Sequence, residues 1–147
     1  MSFLSRIEVD NEASYCKPLL TFDVDWAHGS IIEQTLSLVD HYGIKSIWMM
    51  THSTDMVSRI RWFGHEIGIH PNFNPLLIGD RSYGISAEHI VAELLTQFSD
   101  PKVERSHSLV QSSRLSQLFY DLGLRFESND YLPGSIFSSI QPFVAET

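Results

Sequence analysis

Two carboxylates stand two residues apart at the end of an apolar run, Leu19-Leu20-Thr21-Phe22-Asp23-Val24-Asp25-Trp26. On a strand alternate side chains share a face, so Asp23 and Asp25 are expected to point the same way. Two like charges placed so closely repel, and a metal ion, a shared proton or a basic neighbour would resolve the conflict. Two later stretches offer such partners: Gly64-His65-Glu66-Ile67-Gly68-Ile69-His70-Pro71-Asn72-Phe73-Asn74-Pro75 and Arg105-Ser106-His107-Ser108. The three stretches are expected to converge on one metal-dependent hydrolase site, with one aspartate a ligand and the other a general base. The plainer alternative is a strand end whose carboxylates cap the following turn.

The histidines divide by position. His65 and His70 are five residues apart, so on one strand they face opposite sides and should not share a metal. His70 lies at the strand end beside Pro71 and is the better ligand, whereas His65 reads as a structural group hydrogen-bonded beneath the site. If Pro71 opens a helical turn, Asn74 falls four residues after His70 on the same side and becomes a second ligand, though an amide oxygen is a weaker zinc donor than imidazole. Asn72 and Asn74 also read simply as loop residues. Arg105 and His107 alternate onto one strand face. Arg105 could pair with Asp23 and hold it ionised. His107 could donate a proton, bind metal or satisfy a polar rim. Solvated or structural roles are the default for His28, His41, His52 and His89, and wall or core roles for Trp26 and Trp48.

These residues need a scaffold, and the hydrophobic pattern supplies one. A strand over 19–26 is followed by Ser30 and Glu33, spaced as a helix-starting capping box, with Ile32, Leu36 and Val39 at helical spacing and Gly43 as the stop. Residues 45–51 read as a buried second strand, and Thr54 as the cap of a short helix carrying Met56, Val57 and Ile60. A third strand over 66–70 ends at Pro71, and 72–83 is a loop by composition. Ser86 caps a helix bearing Ile90, Val91, Leu94, Leu95 and Phe98. A fourth strand over 102–108, a helix from Ser112 or Ser113 to Gly123 and a fifth strand over 124–127 follow. Residues 1–17 are weakly periodic and 130–147 give no assignment. Strand-helix alternation argues for a parallel sheet covered by helices, with polar residues gathered at the C-terminal strand ends where such folds place active sites.

The 147 residues suit a single domain, and the net charge of −8 argues against nucleic acid or an anionic membrane surface as partner. The one cysteine, Cys16, excludes an intramolecular disulfide and fits a reducing compartment. No apolar run approaches the roughly 20 residues of a membrane helix, and no basic-then-apolar signal pattern opens the chain, which points to the cytoplasm.

At this level of detail the chain resembles the polysaccharide deacetylases (NodB-homology, carbohydrate esterase family 4). Leu20-Thr21-Phe22-Asp23-Val24-Asp25 is similar to the family's first motif, in the variant with one residue between the carboxylates. Tyr42-Gly43-Ile44-Lys45-Ser46-Ile47-Trp48 resembles its Tyr-Gly-Ile-Lys-Ala-Thr-Phe segment, and Gly64 to His70 its Gly-His-Glu-Ile-Gly-Asn-His. Arg105 stands at the third-motif arginine, and Leu122-Gly123-Leu124 at the helix-to-strand join after it. The His-Pro-Asn-Phe-Asn form looks like a branch associated with surface polysaccharide assembly, such as O-antigen or capsule.

The resemblance runs from about residue 19 to residue 129 of one polysaccharide deacetylase-like domain, 1–147. It implies an α/β fold, a distorted (β/α) barrel of the NodB-homology type, here incomplete with about five of seven strands. It implies a divalent metal, typically zinc, and removal of an N-acetyl group from an amino sugar in surface polysaccharide metabolism. Carried over by position, Asp23 is the base, Arg105 orients it, and Asp25 and His70 are metal ligands. Asn74 stands where the second ligand histidine is expected. The family's later Asp-Trp and Leu-x-His motifs are absent, since no histidine follows His107 and no tryptophan follows Trp62. His107 is then the one site candidate for the acid. The expectation is a truncated or unusually short member whose exposed sheet edge favours self-association. A catalytically impaired glycan-binding homologue and a hydrolase of a small cyclic amide are the alternatives.

Overall fold

The structure, a computed structural model, describes residues 3–14 and 18–131. Cys16 and the tail from 132 onward lie outside them. Five strands, β1 (Leu20–Asp23), β2 (Ser46–Met50), β3 (Glu66–Ile69), β4 (Val103–Glu104) and β5 (Phe126–Glu127), form one sheet in chain order. Every neighbouring pair is parallel. The connections carry α1 (Gly29–His41), α2 (Met56–Trp62), α3 (Asn74–Leu77), α4 (Ala87–Gln97) and α5 (Ser113–Asp121). The sheet curls into a half-barrel, with the Arg105 side chain after β4 reaching Thr21 on β1. Among the described residues no helix is long and apolar enough to cross a membrane.

Two apolar layers hold the curl. On the outer face, Trp48, Met50, Ile67 and Ile69 pack against Ile32, Leu36 and Val39 of α1, Ile60 of α2, Val91 and Leu94 of α4 and Phe119 of α5. On the inner face, Ile47, Met49 and Val103 form a second cluster with Phe126 and with Phe3 and Leu4 from the N-terminal segment. All five residues of β2 are buried, as a strand covered on both faces requires.

The periodic helices fall where their patterns place them. Ser86 caps α4 by accepting from the His89 N–H, and Ser112 caps α5 by accepting from Leu115. Thr54 Oγ1 accepts from the Met56 N–H at the start of α2. The Ser30–Glu33 capping box does not form. Helix α1 begins two residues earlier, with His28 as the cap and its Nδ1 accepting from the Ser30 N–H, and Glu33 pairs with Arg59 instead. The expected strands over 19–26 and 102–108 are shorter, since β1 stops at Asp23 and β4 at Glu104. Within the 72–83 loop the chain makes one short helix, α3. It starts at Asn74 rather than Pro71, so the helical i,i+4 relation between His70 and Asn74 is not made.

Gly68 shows how tightly the inner strands meet. A Cβ there would lie 2.6 Å from Met49 Sδ and 2.9 Å from the Val103 carbonyl oxygen. The sulfur can swing aside but the backbone oxygen cannot. Gly68→Ala is therefore expected to destabilise the fold by about 1–3 kcal/mol, read as a lowered urea midpoint with an unchanged slope.

Candidate functional site

The polar residues collect at the C-terminal end of the sheet. Asp23, Asp25, His70, Arg105, His107, Ser128, Asp130 and Tyr131 line an open cleft of about 510 Å³. Asp23 closes β1, and Arg105 Nη1 donates to its Oδ1 at 2.9 Å. The same nitrogen donates to Thr21 Oγ1 at 2.9 Å, while Nε and Nη2 bind the Ser128 carbonyl at 3.1 Å and hydroxyl at 2.8 Å. One guanidinium thus ties the two edges of the sheet together through its fixed fork of donors.

Asp25 does not reach the cleft by strand alternation. Its backbone turns left-handed, φ 46°, just past β1, and the Thr51 hydroxyl donates to its carbonyl oxygen. An aspartate tolerates that conformation better than most residues. The turn brings Asp25 Oδ1 to 3.0 Å from His107 Nδ1 and 3.4 Å from His70 Nε2. One ligand atom from each of Asp25, His70 and His107 lies within 4.8 Å of the others. His107 sits on a 3-10 turn (His107–Leu109) rather than on a strand, placed by its N–H donating to the Pro71 carbonyl at 2.9 Å. Trp26 stands edge-on to it at the rim, 5.4 Å between ring centres.

The orientation of His70 follows from its partners. It is 3% exposed, and its Nδ1 meets the Arg105 carbonyl oxygen, which can only accept. Nδ1 therefore carries the proton and Nε2 presents its lone pair to the Asp25 carboxylate. Burial, chiefly, lowers the pKa of His70 and disfavours a second proton. Two acceptors left facing each other at 3.4 Å suit a cation between them. One carboxylate and two imidazoles are also the donor chemistry of a zinc-type divalent ion.

The profile of the WbmS-like polysaccharide deacetylases matches residues 20–146. The chain belongs to that family. A crystal structure from Bordetella bronchiseptica, solved under the name of a polysaccharide deacetylase involved in O-antigen biosynthesis (WbmS), superposes with a TM-score of 0.91 at 33% identity. The match covers 99% of this chain and 60% of that one, so this chain spans only part of its relative's length. No curated protein matches it. The five described strands thus form a partial barrel of the deacetylase type, as the motifs led one to expect.

Other sequence-marked residues settle around this cleft. Asn74 Nδ2 donates to Ser108 Oγ at 3.0 Å and its N–H to Asn72 Oδ1, and its side chain lies beside the cleft rather than among the lining residues. His65 is buried below the sheet end, with Nδ1 accepting from the Ser46 N–H at 3.1 Å, and is structural. Trp48 belongs to the core, whereas Trp26 is half-exposed and walls a side cavity of about 120 Å³ shared with His70, Tyr83 and Glu93.

Sequence reasoning missed a buried group behind Arg105. Glu104 is fully buried, accepting from the Ser106 hydroxyl at 3.1 Å and from Asn129 Nδ2. Burial, helped by the charge of Glu127, pushes its pKa up to about 8. The only signal was a glutamate inside a strand pattern. Because the folded value lies above the unfolded one, the native state binds the extra proton between the two. Stability contributed by this group is therefore lost as pH rises, at up to about 1.4 kcal/mol per unit between the unfolded value and pH 8. Wild type is expected to lose more of its urea midpoint from pH 5 to pH 8 than Glu104→Gln does. Arg105→Lys keeps the charge but not the fork, and a loss of about 1–3 kcal/mol in thermal unfolding is expected.

Proposed function

We propose that the cleft is the metal-dependent hydrolytic centre of a deacetylase that removes an N-acetyl group from an amino sugar of a surface polysaccharide. The observation that carries the reading is the convergence of Asp25, His70 and His107, with Asp23 and its arginine on the same cleft. Membership of the WbmS-like family supports the substrate class. In this reading the ligands are Asp25, His70 and His107, and Asn74 holds the Ser108 hydroxyl within the His107 turn.

A zinc-type ion bound by these three residues would polarise the acetyl carbonyl and acidify a water. The protein's own residues do the rest. Arg105 occupies Asp23 Oδ1, leaving the second oxygen to take the proton of the attacking water. Once protonated, Asp23 returns that proton to the leaving amine, so one carboxyl serves as base and then acid. Arg105 fixes the angle at which Asp23 meets the water. Tyr131 in the cleft lining, and Trp26 beside His107, offer exposed aromatic surface to a sugar ring.

The test separates binding from chemistry. After zinc loading and desalting, wild type is expected to hold about one equivalent by elemental analysis, whereas Asp25→Ala, His70→Ala and His107→Ala hold none. Asp23→Asn should keep the metal and lose activity by about 10²-fold or more, measured as acetate released from N-acetylated oligosaccharides. Activity in a metal-free sample, or a His107→Ala variant with full zinc content, would reject the assignment.

A further inference from the structure

The peptide unit joining Arg105 to Ser106 is held on both sides. Its carbonyl accepts from His70 Nδ1, and its N–H donates to Asn129 Oδ1 at 2.7 Å in a buried bond. Asn129 is 3% exposed, and its amide nitrogen donates in turn to Glu104 and, at 3.5 Å, to Glu127 Oε2. Glu104 also accepts from the Ser106 hydroxyl, and its own carbonyl accepts from the Ser128 N–H at 3.0 Å. An unbroken line of hydrogen bonds therefore runs from a carboxyl on the outer face of β4, through an amide side chain and one peptide, to the imidazole on the cleft.

We infer that Glu104 and Asn129 are positioning residues that fix the tautomer and ring orientation of His70 by clamping the 105–106 peptide. Each bond in such a line polarises the next. An Asn129 side chain anchored by Glu104 is a better acceptor for the Ser106 N–H, and the polarised peptide carbonyl is a better acceptor for His70 Nδ1–H. The imidazole is then held with Nε2 bare toward Asp25. Outer partners of a ligating histidine commonly set its tautomer in this way. Here the partner is a backbone carbonyl, which cannot be exchanged by mutation, so control falls to the side chains that hold its peptide. Burial raises the Glu104 pKa to about 8, which favours the uncharged acid at neutral pH. A glutamine there offers the same acceptor to Asn129.

This goes beyond the deacetylase reading, although its use to the protein rests on His70 being a ligand. The test accordingly needs no metal and no substrate. The full chain, labelled with 15N-histidine, is examined at pH 7 by long-range 1H–15N correlation, with His70 assigned through a His70→Gln variant. Wild type is expected to show His70 as a single Nδ1–H tautomer. Asn129→Ala should lose that single-tautomer pattern, with the Nε2–H form appearing. Glu104→Gln and Ser106→Ala should keep the wild-type pattern. If Asn129→Ala does not fold by circular dichroism, Asn129→Ser, whose hydroxyl is too short to join both partners, carries the same expectation. A folded Asn129 variant with the unaltered His70 pattern would overturn the inference, as would loss of the pattern in Glu104→Gln. Failure of metal loading with this pattern intact would count against the deacetylase reading alone.

Discussion

The arrangement of the cleft depends on a single guanidinium bridging a sheet that does not close through its own ladder. The described strands run β1 to β5 in order, so β1 and β5 lie at opposite edges. Arg105 joins them: one arm holds Thr21 and Asp23, the other the backbone and hydroxyl of Ser128. Lysine has the charge but not the fork, and no neutral side chain offers so many donors in one plane. The curvature that brings Asp25 within reach of His107 is thus coupled to the residue that orients Asp23. Geometry of the site and integrity of the half-barrel are here one interaction seen from two sides.

Below that bridge the two faces of β4 have different duties. Val103 and Arg105 point inward, the first into the apolar cluster with Met49, the second to the cleft. Glu104 and Ser106 point outward and are buried, bonded to each other and to Asn129. A carboxyl in that position is costly to ionise. It is retained within a fully connected set of partners, the condition under which a buried polar group gives a unique arrangement rather than a weak spot.

Much of this was legible in the sequence because it rests on periodicity. The spacing of Ile32, Leu36 and Val39, or of Ile90, Val91 and Leu94, reports a buried helix face directly, and those residues are core. Asp23, Asp25, His70, Arg105 and His107 were all marked by type and position, and the structure brings all five to one cleft. Strand alternation nonetheless does not account for Asp25, since the chain makes a left-handed turn there. The place of His107 was invisible for a different reason. It is set by a hydrogen bond to the Pro71 carbonyl from a distant loop, and no local window contains that contact. The capping box at Ser30 failed because His28 competes for the same N–H with its own ring nitrogen. The Glu104–Asn129 line escaped notice since each member is ordinary alone and acquires meaning only through pairing between β4 and β5.

The left-handed turn at Asp25 also bears on how this position can drift over generations. At φ 46° a side chain with a Cβ is strained by about 1–2 kcal/mol, least so for aspartate and asparagine and not at all for glycine. The locus is therefore doubly constrained, by the carboxylate it presents to the cleft and by the backbone the turn imposes. A lineage that abandons the chemistry but keeps the fold has two easy exits, asparagine and glycine, each a single-nucleotide step from an aspartate codon. Either residue at this point in a homologue would mark a retired site inside an intact scaffold, whereas a β-branched residue would mark a remodelled turn.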